Sequence, residues 1–214
     1  MRYYPINLDI AGRDCVVIGG GAVAERKVET LVDVGAAVTV ISPQLTPVLA
    51  HLAANSTICW QQRVWQVGDL STCFLAICAT NDEAVNAAAA AEARQAGALV
   101  NVVDTPALCD FTLPALVSRG DLLITVSTGG ASPILARRIR EQIEQLYGED
   151  FGNYLAELAA VREQMKHCLA TPADREQFWR TALDAAAIEL VHQGKVGEAK
   201  EKIRSAVSGT WTQS

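Results

Sequence analysis

Residues 14–27 read DCVVIGGGAVAERK, and this stretch decides the fold. Asp14 to Ile18 is a short apolar run of strand character, closed by Gly19, Gly20 and Gly21. From Ala22 to Val34 the apolar residues Val23, Val28, Leu31 and Val32 recur at helical spacing. A strand therefore runs through a glycine turn into a helix. Gly19, Gly21 and Ala24 satisfy G-x-G-x-x-[G/A]. In that motif the first glycine permits a tight turn, the second lets backbone approach a pyrophosphate, and the third position allows close helix packing. The helix amino terminus adds unpaired N–H groups and a positive dipole end. The alternative is a glycine-rich strand-to-helix turn with no ligand.

The same rhythm continues downstream. Gly35 stops the helix, residues 38–41 form a second strand, and Ser42, Pro43 and Gln44 open a loop, completing a βαβ unit of about 30 residues. Further strands are predicted at 57–61, 74–78 and 99–103, with an alanine-rich helix at 83–95. Strands alternating with helices predict an α/β fold with a Rossmann-type parallel sheet. After Asp104 the pattern changes. Strands at 111–116 and 122–127 flank a turn at 118–121, predicting an antiparallel excursion. Ser132-Pro133 is a helix start, with Ile134, Ile139, Ile143 and Leu146 on one apolar face. Helices are predicted at 151–169, 174–193 and 196–207, before an irregular tail at 208–214. The expected domains are a dinucleotide-binding unit at 1–112, a strand-and-helix region at 113–148 and a helical region at 149–214.

Composition narrows the function. The chain has 214 residues, half of them hydrophobic and a fifth charged, which excludes collagen-like, disordered and disulfide-scaffold classes. Its net charge is −6, so neither nucleic acid nor an anionic membrane is the default partner. Residues 1–112 carry 6 basic and 11 acidic groups against 12 and 13 in the remainder, placing the basic side chains mainly in the second half. No run reaches signal-peptide or membrane-span length, and a cytoplasmic protein is expected. Six cysteines lack C-x-x-C spacing, and Cys73 and Cys78, placed in one strand, are expected to point to opposite faces. His51, His167 and His192 have no carboxylate or cysteine at metal-ligand spacing, so no metal site is expected. There is no G-x-S-x-G elbow.

Other candidates follow from position. Ser42 stands where a ribose-binding acidic residue usually falls, which leaves NAD and NADP both open. Thr80 and Asn81 follow a strand at the expected ligand crevice, although Asn81 or Asp82 could equally cap the next helix. Asp104 ends another strand and is either a general base or the acceptor of an Asp-Thr-Pro turn. Thr128 and Gly129, in the 127–133 turn, suit an anion or simply a capped turn. Arg137, Arg138 and Arg140 could meet substrate carboxylates or lie on a solvated face.

Taken together, Tyr4-Pro5-Ile6, residues 17–27, Ala79-Thr80-Asn81-Asp82, Asn101-Val102-Val103-Asp104, 111–115 and 127–133 resemble the amino-terminal module of siroheme synthase and its relatives, the precorrin-2 dehydrogenases and sirohydrochlorin ferrochelatases. The similarity covers nearly the whole chain. It implies a Rossmann domain, a central dimerisation region and a helical region in a homodimer. It further implies NAD⁺, held by the glycine loop with Ala22 and Val23 and by Pro43 and Gln44. The implied substrate is precorrin-2, a carboxylate-rich tetrapyrrole oxidised to sirohydrochlorin on the way to siroheme, with Asp104 as catalytic aspartate. Fe²⁺ insertion is left open, since some relatives only dehydrogenate. A non-catalytic dinucleotide sensor and a chelatase without dehydrogenation are the alternatives. Fused relatives continue into a methyltransferase module, whose start the tail does not resemble.

Overall fold

The computed structural model describes residues 3–211, with side chains as far as Ser208. It divides into two compact units, residues 4–113 and residues 114 onward with Tyr3. The first unit alternates β1 (Asp14–Ile18), α1 (Ala22–Asp33), β2 (Ala37–Ile41), α2 (Pro47–Ala54), β3 (Cys59–Gln61), β4 (Leu75–Cys78), α3 (Glu83–Gln95) and β5 (Leu99–Val102). The strands form one parallel sheet in the order β3-β2-β1-β4-β5. This is the Rossmann-like α/β fold.

Period-2 alternation explains the layers. Cys15 and Val17 join Val38, Val40, Leu75 and Ile77 on one face, packed against Ala24, Val28 and Leu31 of α1 and Leu49 of α2. Val16 and Ile18 join Ala76, Cys78, Val100 and Val102 on the other, under Ala89, Ala90 and Ala93 of α3. Burial on both faces is what makes these strands read as continuous apolar runs.

Several boundaries differ from expectation. The helix α2 was not anticipated, although Thr46 caps it by accepting from the Leu49 N–H and Pro47 opens it. The strand expected at 57–61 shortens to β3, because the amides of Thr57 and Ile58 donate to the Leu52 carbonyl at the end of α2 instead. Cys73 lies two residues before β4, outside the strand, where strand alternation does not apply. It lies in the same core as Cys78, correcting the opposite-face expectation.

Those cysteines predict an alkaline limit. Burial pushes the Cys15 thiol from 9.0 up to about 11 and Cys78 up to about 12. Both folded values are raised, so the stability the protonated thiols supply is complete below pH 9 and is lost as pH rises from there through the folded values. Urea midpoints should fall above pH 9, and Cys15→Ala or Cys78→Ala should flatten that fall.

In the second unit, β6 (Ala115–Arg119) and β7 (Leu122–Val126) form an antiparallel hairpin, followed by α4 (Pro133–Leu146), α5 (Phe151–Cys168), α6 (Pro172–Ala182), α7 (Ala185–His192) and α8 (Val196–Trp211). The first hairpin strand starts four residues later than expected, after Pro114, and takes in Ser118 and Arg119. The turn is only Gly120-Asp121, with glycine at φ +58 in the first position favoured by two-residue hairpins. Gly120 and Gly152 touch backbone to backbone, since a Cβ on Gly152 would sit 3.0 Å from the Gly120 nitrogen.

The single helix expected at 174–193 is two. Leu183 leaves helical geometry, and Asp184 caps α7 through the Ala187 N–H while pairing with Lys202 at 2.6 Å. The expected tail is helical through Trp211, and 212–214 lie outside the described residues. Helices α5 to α8 enclose Tyr154, Met165, Phe178 and Ile203. Within 114–148 only Val117 and Ala136 are buried, and Leu116, Leu123, Ile134, Leu135 and Leu146 are exposed. Among the described residues, no helix is long and apolar enough to cross a membrane.

Candidate functional site

All five strands run the same way, so their carboxyl ends share one edge of the sheet, and the strand order reverses between β1 and β4. Ligands of open α/β sheets bind at that reversal. Three loops interlock there. The Gly19 N–H donates to the Ile41 carbonyl at 3.0 Å, the Thr46 N–H to the Gly20 carbonyl at 3.0 Å, and the Ala79 N–H to the Ile18 carbonyl at 2.8 Å. Side chains on the first two glycines cannot fit: a Cβ on Gly19 would lie 2.5 Å from the Ala79 carbonyl oxygen, and one on Gly20 would overlap the Gln44 carbonyl oxygen. Gly21 is different. It is the N-cap of α1, no side chain bonds there, and nothing lies within 4 Å of where its Cβ would stand.

The first-turn amides of α1 thus open onto free space beside an exposed Gly21 and Ala22 and a half-buried Val23. These residues fit a dinucleotide pyrophosphate, which needs unpaired donors and close backbone approach. Pro43 and Gln44 are exposed on the neighbouring loop. Ser42 is buried and its hydroxyl donates to the Gln44 carbonyl at 2.7 Å, so it braces that loop.

On the other side of β1, Asp82 rather than Asn81 caps α3, accepting from the Ala84 and Val85 N–H groups. Asn81 is exposed. Thr80 is held by Asn86, a buried residue that sequence reasoning missed. The Asn86 carbonyl oxygen accepts from the Thr80 N–H and hydroxyl, and its amide donates to the Thr80 carbonyl at 3.0 Å. A polar residue four beyond the Asp82 cap, ahead of five consecutive alanines, was the available signal. Asn86→Ala would leave the Thr80 loop's buried groups unpaired and should destabilise the fold by about 2 kcal/mol in urea titrations.

Asp104 follows β5 at φ +57, one of two non-glycine residues with positive φ among those described. The Thr105 N–H donates to the Val102 carbonyl at 3.3 Å, which puts Asp104 at the third position of a turn. Glycine ordinarily takes that place, because left-handed backbone crowds a Cβ. The Asp104 carboxylate is exposed and accepts no hydrogen bond among the described residues. The turn-acceptor role weighed for it is thus not one the structure gives it. Two strand spacings, about 10 Å, separate β5 from β1 along the shared edge.

The remaining candidates lie in the second unit. The Thr128 hydroxyl accepts from the Ser132 N–H and donates to the Ser132 carbonyl, each at 3.1 Å, and Ser132 caps α4. Gly129 donates to the Ser127 hydroxyl. Arg137 pairs with Glu141, and Arg140 with Glu141 and Glu144, whereas Arg138 is exposed and has no ion pair among the described residues. His51, His167 and His192 stand in the last turns of α2, α5 and α7. Among the described residues, no three His, Cys, Asp or Glu side chains form a metal cluster. A groove of about 630 Å³ lined by Arg26, Glu29, Asp33 and Leu52 includes none of the expected site residues.

Three family descriptions match in order: putative NAD(P)-binding at residues 6–115, sirohaem biosynthesis protein central at 119–146, and sirohaem synthase dimerisation region at 152–207. The siroheme synthase of Methylococcus capsulatus is 43% identical over 214 residues, all of this chain and 45% of that protein. That of Nitrosococcus oceani is 38% identical over 209 residues, 98% of this chain and 45% of that protein. The chain spans about half the length of the curated relatives it matches. A solved structure titled SirC, precorrin-2 dehydrogenase, superposes with a TM-score of 0.74 at 28% identity, covering 94% of this chain and 100% of that one. With a glycine loop and a parallel sheet at its amino end and the three matched regions in sequence, the chain belongs to the siroheme synthase family, to the part that carries the NAD(P)-binding, central and dimerisation regions.

Proposed function

We propose that this chain oxidises precorrin-2 to sirohydrochlorin with NAD⁺. The observation that carries the reading is Asp104: an exposed, unpaired carboxylate in a backbone conformation that favours glycine, on the sheet edge where the glycine loop opens. Strain of that kind persists where function requires the side chain. The names of the relatives, siroheme synthase and precorrin-2 dehydrogenase, support the substrate.

Gly21, Ala22 and Val23 would hold the pyrophosphate on a turn that Gly19 makes possible, with Pro43 and Gln44, braced by Ser42, lining one side and Thr80 and Asn81 the other. Bound NAD⁺ supplies the acceptor for two electrons and one hydrogen of the substrate. The second hydrogen leaves as a proton, and Asp104 takes it at a carboxylate oxygen. NAD⁺ is favoured over NADP⁺ because Arg63, after β3, is closed by Asp69 at 2.7 Å on both terminal guanidinium nitrogens and is no free cation for a 2′-phosphate.

The tetrapyrrole carries many carboxylates and this chain is acidic, so binding falls to local cations. We assign that part to Arg138, which has no ion pair, with Arg137 and Arg140 exchanging their glutamates for substrate, and with Thr128 and Gly129 at the start of α4. The exposed apolar residues of β6, β7 and α4 support a homodimer closing over them, since a hairpin and helix with two buried side chains do not make a core. This division keeps residues 1–112 for the cofactor, 113–148 for dimerisation and 149–214 for the helical region. A cytoplasmic setting fits the six unpaired thiols. Fe²⁺ insertion into the product is part of the proposal because the relatives are named for siroheme, the iron-bearing end product. The metal enters as substrate, with the macrocycle supplying the nitrogens.

An anaerobic assay with precorrin-2 and NAD⁺, followed by Fe²⁺, tests both halves by the absorption of sirohydrochlorin and then siroheme. No sirohydrochlorin in the first stage would overturn the dehydrogenase; no siroheme in the second would remove only the chelatase.

A further inference from the structure

The outer edge of β5 has no neighbouring strand, yet its backbone groups are paired. The Val100 N–H donates to the Asp110 carboxylate at 3.0 Å, and the Asp110 N–H returns to the Val100 carbonyl at 2.9 Å. The Val102 N–H donates to the Cys109 sulfur at 3.2 Å. That sulfur also lies 3.2 Å from the Val102 carbonyl oxygen and 3.4 Å from that of Thr105, one of which receives the thiol proton. The Asn101 amide donates to the Phe111 carbonyl at 3.0 Å. Arg94 of α3 anchors the segment, donating to Asp110 at 3.0 Å and to the Leu108 carbonyl at 2.7 Å. The two residues that pair with this edge through side chains therefore bracket, with β5, the short loop containing Asp104.

We propose that Cys109 and Asp110 form a clasp that positions Asp104, with the Cys109 thiol fixing the turn itself. Among the described residues the carboxylate of Asp104 has no bond of its own to orient it, and its backbone conformation is one that aspartate adopts at a cost. Its placement must come from the groups flanking it. Val102 and Thr105, the two ends of the turn, are the residues whose backbone meets the Cys109 sulfur. A hydroxyl could make the same contacts from a shorter reach; a methyl group could make none. The inference rests on Asp104 as the base of the proposed reaction.

The test uses the full chain, precorrin-2 and NAD⁺. Cys109→Ala should lower kcat by about tenfold to a hundredfold, the range for a base displaced by about an ångström, with NAD⁺ affinity unchanged. Cys109→Ser should recover part of that loss, and Cys59→Ser, at the far edge of the sheet, should lose nothing. Hydrogen exchange at the Val102 and Thr105 amides should accelerate in Cys109→Ala while β1 and β4 keep their protection. Native kcat together with native protection in Cys109→Ala would overturn the clasp, as would an equal loss of NAD⁺ affinity and kcat. If Cys109→Ala does not fold, Cys109→Val, which also removes the hydrogen-bonding group but fills the space, is read in its place, and native kcat with native protection there overturns the clasp. Should Asp104→Ala keep full turnover, the base assignment fails instead, and the exchange measurement still decides whether the clasp holds the turn.

Discussion

Asp104→Ala should lose precorrin-2 turnover by about 10²- to 10⁴-fold, the range associated with removing a general base, while NAD⁺ binding stays near native. The separation follows from the structure. The cofactor loop is built by contacts among the ends of β1, β2 and β4, and none of its hydrogen bonds involves Asp104. A second substitution sharpens the result. Asp104→Gly removes the same carboxylate but places glycine where φ is +57. The relief of left-handed strain, about 1 kcal/mol, roughly offsets the entropy glycine adds to the unfolded chain. Turnover should therefore vanish with stability unchanged. Native stability with lost turnover separates function from folding; a turnover that survives either substitution removes Asp104 from the chemistry and leaves a nucleotide-binding sensor as the better reading.

Gly21→Asp should weaken NAD⁺ binding by about a hundredfold or more, because a carboxylate at the mouth of α1 takes the place of the pyrophosphate and repels it. The fold should tolerate it: φ at Gly21 is −85, which any residue adopts, and nothing lies within 4 Å of its Cβ position. Gly20→Ala should behave in the opposite way. Its methyl group would overlap the Gln44 carbonyl and press on Leu45 and the Ser42 hydroxyl, costing about 3 kcal/mol of stability at the junction of β1 and β2. Isothermal titration with NAD⁺ and urea unfolding distinguish the two. Equal loss of folding in both variants would mean that the space beside Gly21 is structural and not a ligand's.

The contrast between adjacent glycines shows how far local reading reaches. G-x-G-x-x-[G/A] singled out Gly19, Gly21 and Ala24, and the structure makes the unassigned Gly20 the most tightly confined of the three consecutive glycines. The confinement comes from Gln44, 24 residues away. Similarly, Thr46-Pro47 carries the same start signal as Ser132-Pro133, yet the eight residues of α2 are too few and too uniformly apolar to show a helical period. The break at Leu183 and Asp184 was hidden because neither glycine nor proline marks it: Ala182 runs through Leu183 and Asp184 into Ala185-Ala186-Ala187 without a helix breaker. At the break Asp184 caps α7 through the Ala187 N–H and pairs with Lys202 of α8.

By itself the sequence determined the βαβ order, the parallel sheet, the glycine loop opening α1, and the edge on which Asp104 stands. These depend on apolar period, turn residues and strand direction, all of which are local. Only the tertiary structure decided that Asp104 is left-handed and unpaired, that Ser42 braces a loop, that Asn86 holds Thr80, and that Cys109 and Asp110 close the edge of β5. Each of these is set by the backbone groups that neighbouring segments leave unpaired, and such groups acquire partners only when distant parts of the chain are brought together.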